Sequence, residues 1–267
     1  MSSEAVAMLS ALSPELSPGL LSGWSPGLSP NSPAPVATPF ALNPQAQLHI
    51  ETLSSGCPVM VVDDFYADPM AVRALGLAGR YDSSLAYYPG LHSDISRAHQ
   101  QPLHQALVQL LAALGSLRCR PADITSDFSI VTTPAREMLA KQKHPHVDGV
   151  PLAGVVYLNP SFEVGTSFFR HRPTGQAFVR SPAEQQAYSA WMEAFGDSQQ
   201  PVTYAVGQPD DGGAWEHLHS VAGRFNRLVM YPGTAFHSIA MRDVVHNLSL
   251  DSARLTQRFF VNRAGTD

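Results

Sequence analysis

Three side chains of the kind that ligate metals stand in two short stretches of the sequence. Residues 144–149 read HPHVDG, so one residue separates His146 from Asp148. Alternate side chains of an extended strand point to the same face, and one ion could therefore contact both. His237 lies much further along the chain in YPGTAFHS, where nothing local explains an imidazole. Two imidazoles and one carboxylate on one face of a metal leave its opposite face open, an arrangement used for Fe(II).

The same residues also have a structural interpretation. HPHVDG could be a polar strand, and most of the 11 histidines must have ordinary structural or surface roles. The order of features is more specific, because His-x-Asp is followed by a strand, a distant histidine and a strand with Arg and Thr. We therefore predict that His146, Asp148 and His237 form a metal site that is also the catalytic centre.

The last of these strands, RLTQRFF, carries a second kind of site. Its period of two places Arg254, Thr256 and Arg258 on one face. The other face takes the intervening residues Leu255, Gln257 and Phe259. Guanidinium offers a planar fork of donors to a carboxylate, and a hydroxyl adds one more donor. We predict that Arg254 with Thr256 binds the far carboxylate of a dicarboxylate cosubstrate. Arg258 is a second candidate for the same role, and a surface ion pair is the alternative for either arginine.

Two further candidates lie near these motifs. Tyr157 stands in the middle of a β-branched run, where its phenol either reaches the cosubstrate or fills the core. His144 would share a face with His146 on a regular strand, although Pro145 disturbs that strand. We expect His144 to support the site or to contact substrate rather than to be a fourth ligand.

The segment 81–96, YDSSLAYYPGLHSDIS, has neither helical nor strand periodicity. Loops of this composition often border a site. Tyr87, Tyr88 and His92 are therefore candidates for substrate binding, with a plain surface loop as the alternative.

Hydrophobic periodicity predicts the elements that must position these side chains. Asp68 followed by Pro69 indicates a helix N-terminus, and Ser181, Pro182 and Glu184 indicate another with a capping box. The predicted helices are 69–77, 102–114 and 182–195, and the predicted strands are 59–62, 127–133, 152–159, 224–233 and 254–262. Short strands with helices clustered early indicate an α+β fold, a β-sandwich or barrel backed by helices.

Composition divides the 267-residue chain into two parts. Residues 1–45 are rich in Ser and Pro, with Ser-Pro recurring five times, and this low-complexity tail is expected to be disordered. Residues 46–267 have the hydrophobic content of one folded domain.

Charge and cysteine content exclude some partners. The net charge of −5 provides no basic surface for nucleic acid. No apolar run is long enough to span a membrane, and no signal peptide is evident. Two cysteines are too few for a disulfide framework, which favours a cytoplasmic location. The oligomeric state is left open.

Together, these motifs resemble the Fe(II)/2-oxoglutarate-dependent dioxygenases, most closely the prolyl-hydroxylase-like branch. The resemblance runs from about Val59 to Asn262 and is carried by VVDDFYADP, HPHVDG, VVYLNPSFEVGTSFF, YPGTAFHS and RLTQRFF. It implies a double-stranded β-helix (jelly-roll or cupin-like) core backed by N-terminal helices. The turn after YLN departs from the pattern, since it reads Val-Gly-Thr where many relatives have Gly-Gly.

The resemblance also implies ligands and chemistry. Fe(II) would be held by His146, Asp148 and His237, and Arg254 with Thr256 would receive the C5 carboxylate of 2-oxoglutarate. O₂ would be the second cosubstrate. The expected reaction is hydroxylation of a small-molecule or peptidyl substrate with release of succinate and CO₂.

Two rival interpretations remain at this stage. A cupin-type metal enzyme shares the β-helix, but its pattern places a Glu shortly after the second histidine, and the first Glu after HPHVDG is Glu163. The other rival is a non-catalytic protein that keeps the metal site and has lost the reaction.

Overall fold

The structure is a computed structural model that describes most of the chain after residue 38. The described residues are 39–82, 90–93, 97–113, 118–131, 133, 137, 142, 144–160, 164–195, 213–240 and 253–263. Within them the fold is mixed α+β and is dominated by antiparallel sheets.

Eight of the described strands form one large antiparallel sheet. These strands are β1 Gln47–Thr52, β2 Pro58–Asp63, β3 Tyr81–Asp82, β4 Leu91–Ser93, β5 Ile124–Val131, β6 Leu152–Tyr157, β9 Leu228–Pro232 and β11 Arg254–Val261. Their order across the sheet is β1-β2-β9-β6-β11-β5-β4-β3. A smaller antiparallel sheet has the order β10-β7-β8. Its strands are β7 Thr166–His171, β8 Trp215–Val221 and β10 His237–Ile239.

The described helices are α1 Pro69–Leu77, α2 Arg97–Ala113 and α3 Pro182–Phe195. As predicted, Asp68 caps α1 by accepting a hydrogen bond from the backbone N–H of Ala71 at 3.0 Å. The capping box of α3 is also present, because Ser181 and Glu184 each accept from the other's backbone N–H. Helix α2 starts five residues before the predicted position, with Pro102 inside it.

The large sheet separates two hydrophobic layers. Alternation along β2 sends Met60 and Val62 to the layer shared with the helices, and Val59 and Val61 to the layer between the sheets. The apolar stripe predicted on α2 packs into the first layer through Leu103, Leu107, Leu110 and Leu111. Each sheet face thus has a distinct role, one against helices and one against the smaller sheet.

Several strands were not predicted. β1, β7, β8 and β10 were missed, and β3 and β4 lie in a segment that had been interpreted as a loop. The strand predicted for 224–233 is shorter, because residues 224–227 form a turn in which Asn226 has φ +62°.

The folded chain extends further toward the N-terminus than the predicted boundary at residue 46. Phe40 is buried in the core, with its ring centroid 6.1 Å from that of Tyr66. Leu42 also forms a bridge with Tyr66. Part of the segment assigned to the tail, residues 39–45, therefore packs on the domain, and the rest of the predicted tail lies outside the described residues. No helix in the described part of the chain has the length and apolar character needed to cross a membrane.

Candidate metal centre

The HPHVDG segment forms only an isolated bridge instead of a strand. His146 forms one isolated bridge with His237, and each backbone N–H donates to the other's carbonyl at 2.9 and 3.0 Å. The N–H of Asp148 donates to the carbonyl of Gly233 at 2.7 Å. Tertiary contacts with residues around β10 therefore hold the segment.

These contacts bring the three candidate ligands together. His146 Nε2 lies 3.6 Å from Asp148 Oδ1, and His237 Nε2 lies 3.3 Å from Asp148 Oδ2. The candidate ligand atoms all lie within 4.8 Å of one another, and no other group of three in the described residues meets this geometry. Nitrogen and oxygen ligands about 2.0–2.2 Å from a metal are themselves roughly 3 Å apart. The cluster is therefore the right size to bind one ion.

A hydrogen bond fixes the tautomer of His237. Its Nδ1 lies 2.9 Å from the carbonyl oxygen of Ala235, which can only accept, so Nδ1 must carry the proton. Nε2, the nitrogen that faces Asp148, is therefore the ring atom available to a metal. Metal-ligating histidines are usually oriented by this kind of outer hydrogen bond.

The electrostatics favour the protonation states that a metal requires. Burial, and then the proximity of His237, lower the pKa of His146 to about 3, so its imidazole is neutral. Burial alone would raise the pKa of Asp148. The proximity of His237, His146 and Arg258 outweighs burial, and the pKa of Asp148 falls below its usual value. A neutral imidazole and an ionised carboxylate are the ligating forms, so this donor set fits a divalent cation such as Fe(II).

Two glycines allow the close backbone approach at this site. A Cβ on Gly233 would lie 2.5 Å from the carbonyl oxygen of Val150. Gly149 adopts φ +69°, a conformation that L side chains rarely take. The turn after β9 and the HPHVDG segment can therefore pack against each other.

The three candidate ligands lie on the wall of a cleft that opens to solvent. The other lining residues come from both sheets: His92, Ser129, Ala153, Gly154, Val155, Thr166, Tyr231, Ser238, Ile239, Arg254, Thr256, Arg258 and Phe260. The cleft runs between the sheets on the face of β11 that carries Arg254, Thr256 and Arg258. The predicted alternation of this strand is confirmed, since Leu255 and Phe259 lie in the layer beside the helices.

Arg254 is a buried cation without an acidic partner in the described part of the chain. It is 6% exposed, its Nε donates to the carbonyl of Val164 at 3.3 Å, and its guanidinium lies 5.6 Å from the ring centroid of Tyr157. Burial lowers its pKa. Thr256 Oγ1, also on the cleft wall, is buried and has no hydrogen-bond partner among the described residues. A buried cation and an orphaned hydroxyl are the groups that a carboxylate would satisfy.

Arg258 has a different environment from Arg254. Its Nε donates to Asp127 Oδ1 at 2.7 Å, and its Nη2 donates to Asp127 Oδ2. This bidentate pair compensates the charge of Arg258 inside the protein. Of the two arginines predicted as carboxylate anchors, Arg254 is the one whose charge is left for a ligand.

Tyr157 lies beside this region but is not on the cleft wall. Its hydroxyl shares a hydrogen bond of 2.7 Å with Thr166 Oγ1, and burial raises its pKa. The ring packs between the sheets with Phe168 and Tyr231. Tyr157 therefore acts in packing and in support of Arg254.

The substrate candidates fall in three places. His92 lines the cleft on β4. Tyr87 and Tyr88 lie outside the described residues. His144 does not line the cleft: it is 2% exposed, and its Nδ1 accepts from Trp215 Nε1 at 3.4 Å within an aromatic cluster. His144, the first residue of the HPHVDG segment, is therefore not placed to contact a substrate in the cleft.

Sequence reasoning missed Asp127, Ser129 and Thr166. Asp127 and Ser129 share a face of the predicted strand 127–133 by its period of two, and this was the available signal. It could not be used, because the register that sets Asp127 opposite Arg258 and Ser129 opposite Thr256 is a long-range property.

The chain belongs to a family of unknown function, DUF6445, whose model matches residues 44–261. No curated protein matches the chain. No solved structure matches it either.

Proposed function

We propose that this protein is an Fe(II)- and 2-oxoglutarate-dependent oxygenase that hydroxylates a small-molecule or peptidyl substrate and releases succinate and CO₂. One observation carries the proposal. A His-Asp-His cluster of metal-binding size shares a cleft with a buried arginine and a buried hydroxyl that have no acidic partner among the described residues.

The chain path supports a double-stranded β-helix as the core. From β5 onward, the chain crosses repeatedly between the sheets, with β5, β6, β9 and β11 in the large sheet and β7, β8 and β10 in the small one. The consecutive strands β7 and β8 pair with each other within the small sheet. The HPHVDG segment lies beside the small sheet, because His146 forms a bridge with His237 at the start of β10. Such crossing winds the chain as a β-helix and sets the two sheets face to face, with the cleft between them.

The proposed metal ligands are His146, Asp148 and His237. Bound Fe(II), with 2-oxoglutarate and O₂, supplies the oxidising chemistry, which turns 2-oxoglutarate into succinate and CO₂. The role of the chain is to hold the ion on one side only. The bridge between His146 and His237 and the hydrogen bond from Nδ1 of His237 fix the imidazole positions before any metal arrives.

The proposed anchor for the C5 carboxylate of 2-oxoglutarate is Arg254 with Thr256. A carboxylate there removes the cost of burying an unpaired guanidinium, and it satisfies the Thr256 hydroxyl. The compensated pair Arg258–Asp127 has no such need of an anion. This contrast in charge balance favours Arg254 over Arg258.

Turnover of 2-oxoglutarate tests this proposal. The purified full chain with Fe(II) should convert 2-oxoglutarate into succinate in the presence of O₂, at a slow uncoupled rate if no substrate is supplied. His237→Ala should abolish succinate formation, whereas His219→Ala, a change of a partly exposed histidine on β8, should not. Succinate formation that persists without O₂ or in His237→Ala would contradict the proposal.

A negative result can also be interpreted. Tight binding of Fe(II) without turnover or binding of 2-oxoglutarate would favour a cupin-type metal enzyme or a non-catalytic metal-binding protein. Failure to bind any divalent ion would remove all three interpretations.

A further inference from the structure

The cleft has a side arm that neither the metal nor the cosubstrate uses. His92 on β4, Ser129 on β5 and Thr256 on β11 are cross-strand partners in one row of the large sheet, and all three line the cleft. Neighbouring strands lie about 4.8 Å apart, so His92 is roughly 10 Å from Thr256. The arm defined by His92 and Ser129 thus lies beside the site proposed for 2-oxoglutarate and is distinct from it.

The two polar groups of this arm lack partners in the described protein. His92 and Ser129 are each 5% exposed. Within the described residues, Nδ1 of His92 has no hydrogen bond, and it lies 4.0 Å from Asp127 Oδ2. Nε2 is therefore the ring nitrogen left for a ligand. The hydroxyl of Ser129 has no partner among the described residues. Nε2 of His92 and the hydroxyl of Ser129 are therefore the two polar atoms of the arm that are left for a ligand in the cleft.

Charge balance restricts the ligand to an uncharged one. Asp127 compensates Arg258, the cation whose charge acts on His92, and Asp127 itself is occupied by that guanidinium. Burial, and then the charge of Arg258, lower the pKa of His92, which keeps its ring neutral. An anion would have to compete with Asp127 for Arg258, and an ammonium group would approach Arg258.

The geometry of the pair defines which uncharged group fits. A neutral His92 whose proton is on Nδ1, toward Asp127, accepts at Nε2, and the Ser129 hydroxyl can donate. Directly opposed side chains on antiparallel strands have Cβ atoms about 5 Å apart and project from the same wall. A ligand must therefore present an N–H and a C=O on a single edge. Carboxamides and cyclic amides do so, whereas the N–H and C=O of a trans secondary amide point in opposite directions.

We propose that the arm formed by His92 and Ser129 binds a carboxamide-type edge of the substrate and so positions the substrate beside the metal. The proposal rests on the oxygenase function proposed above, and it narrows the substrate class to molecules with a primary or cyclic amide. The Nε2 of His92 accepts the amide N–H, and Ser129 donates to the amide oxygen.

Nuclear magnetic resonance of the histidine rings tests the proposal. The full chain, labelled with ¹⁵N-histidine and loaded with diamagnetic Zn(II) and 2-oxoglutarate, is titrated with acetamide, acetate or N-methylacetamide. His92→Gln identifies the His92 signals, and His49 on β1 serves as an internal control in the same spectra. Acetamide should shift the His92 signals saturably, about tenfold more tightly than either analogue, because each analogue leaves a polar group unpaired. Equal or tighter binding of acetate or N-methylacetamide, or no saturable shift with acetamide up to its solubility limit, would overturn the proposal.

A second variant and two further ligands complete the design. Ser129→Ala should weaken acetamide binding about tenfold, and unchanged affinity would count against the arm. A blocked Gly-Gln-Gly peptide and 2-pyrrolidone then distinguish the source of the amide, because a peptidyl substrate predicts tighter binding of the peptide and a small cyclic one the reverse. The 2-oxoglutarate absorption band of the wild-type Fe(II) protein is recorded separately. If the 2-oxoglutarate absorption band forms but acetamide does not bind, only this inference is rejected. If the absorption band does not form, the oxygenase proposal is rejected.

Discussion

The two faces of strand β11 differ in the side chains that they carry. Toward the helices, Leu255 and Phe259 lie fully buried in a hydrophobic layer. Gln257 on this face accepts a hydrogen bond from the Tyr66 hydroxyl, although its Nε2 has no partner among the described residues. Toward the cleft, Arg254 has no acidic partner in the described chain, and Thr256 has an unpaired hydroxyl. One strand therefore contributes stability through one face and a binding site through the other. The site's unpaired groups cost stability until a ligand binds.

The largest expected effect is on the helical face. Phe259→Ala should lower the free energy of unfolding by about 3–5 kcal/mol, because it leaves a cavity in a close-packed layer. Urea unfolding monitored by circular dichroism measures this change. A loss below about 1 kcal/mol would break the comparison, since it would mean that this face is not tightly packed.

On the cleft face, Arg254→Met should weaken ligand binding without lowering stability. The binding free energy of 2-oxoglutarate should weaken by about 2–5 kcal/mol, because the carboxylate loses its buried cation. This corresponds to a rise in Kd of roughly 30-fold to a few thousand-fold. The ligand-free variant should unfold no more easily than the parent, since a buried unpaired charge has been removed. Calorimetric titration and urea unfolding provide the two measurements.

A matched variant sharpens the choice between the two arginines. The double change Arg258→Met with Asp127→Asn removes a compensated pair and leaves the net charge of the cleft unchanged. Its loss of 2-oxoglutarate affinity should be clearly smaller than that of Arg254→Met. The reverse order would identify Arg258 as the anchor.

The smallest effect is expected from Thr256→Val, which keeps the side-chain shape and removes the unpaired hydroxyl. Stability without ligand should increase by about 1 kcal/mol, and 2-oxoglutarate binding should weaken by about 1.5–3 kcal/mol. If stability without ligand and 2-oxoglutarate affinity both decreased, the hydroxyl would have an internal structural role, contrary to the contrast between the two faces.

Local patterns in the sequence were sufficient for features that depend on near neighbours. The cap at Asp68, the capping box at Ser181 and Glu184, and the alternation of β11 were all predicted and are present. Each depends on residues within a few positions, where backbone geometry alone determines which side chains meet.

Features that depend on distant residues could not be obtained in this way. Extended geometry was expected to place His146 and Asp148 on one face, but the two residues are held by contacts with His237 and Gly233 that the sequence does not show. The partner of Arg258 is Asp127, far away in the sequence and adjacent only through strand register. His144 was expected near substrate, yet Trp215 draws it into an aromatic cluster. β1 was missed even though Leu48 and Ile50 alternate with polar residues, so a usable local signal was overlooked.

The central claim is that the His-Asp-His cluster and Arg254 act on one ligand pair in one cleft. Anaerobic addition of 2-oxoglutarate to the Fe(II) protein tests it most directly, through visible absorption. We expect a new charge-transfer band that saturates at one equivalent of each ligand, is absent in His146→Ala, and requires much more 2-oxoglutarate in Arg254→Met. Tight binding of Fe(II) with no band at any 2-oxoglutarate concentration would contradict the account.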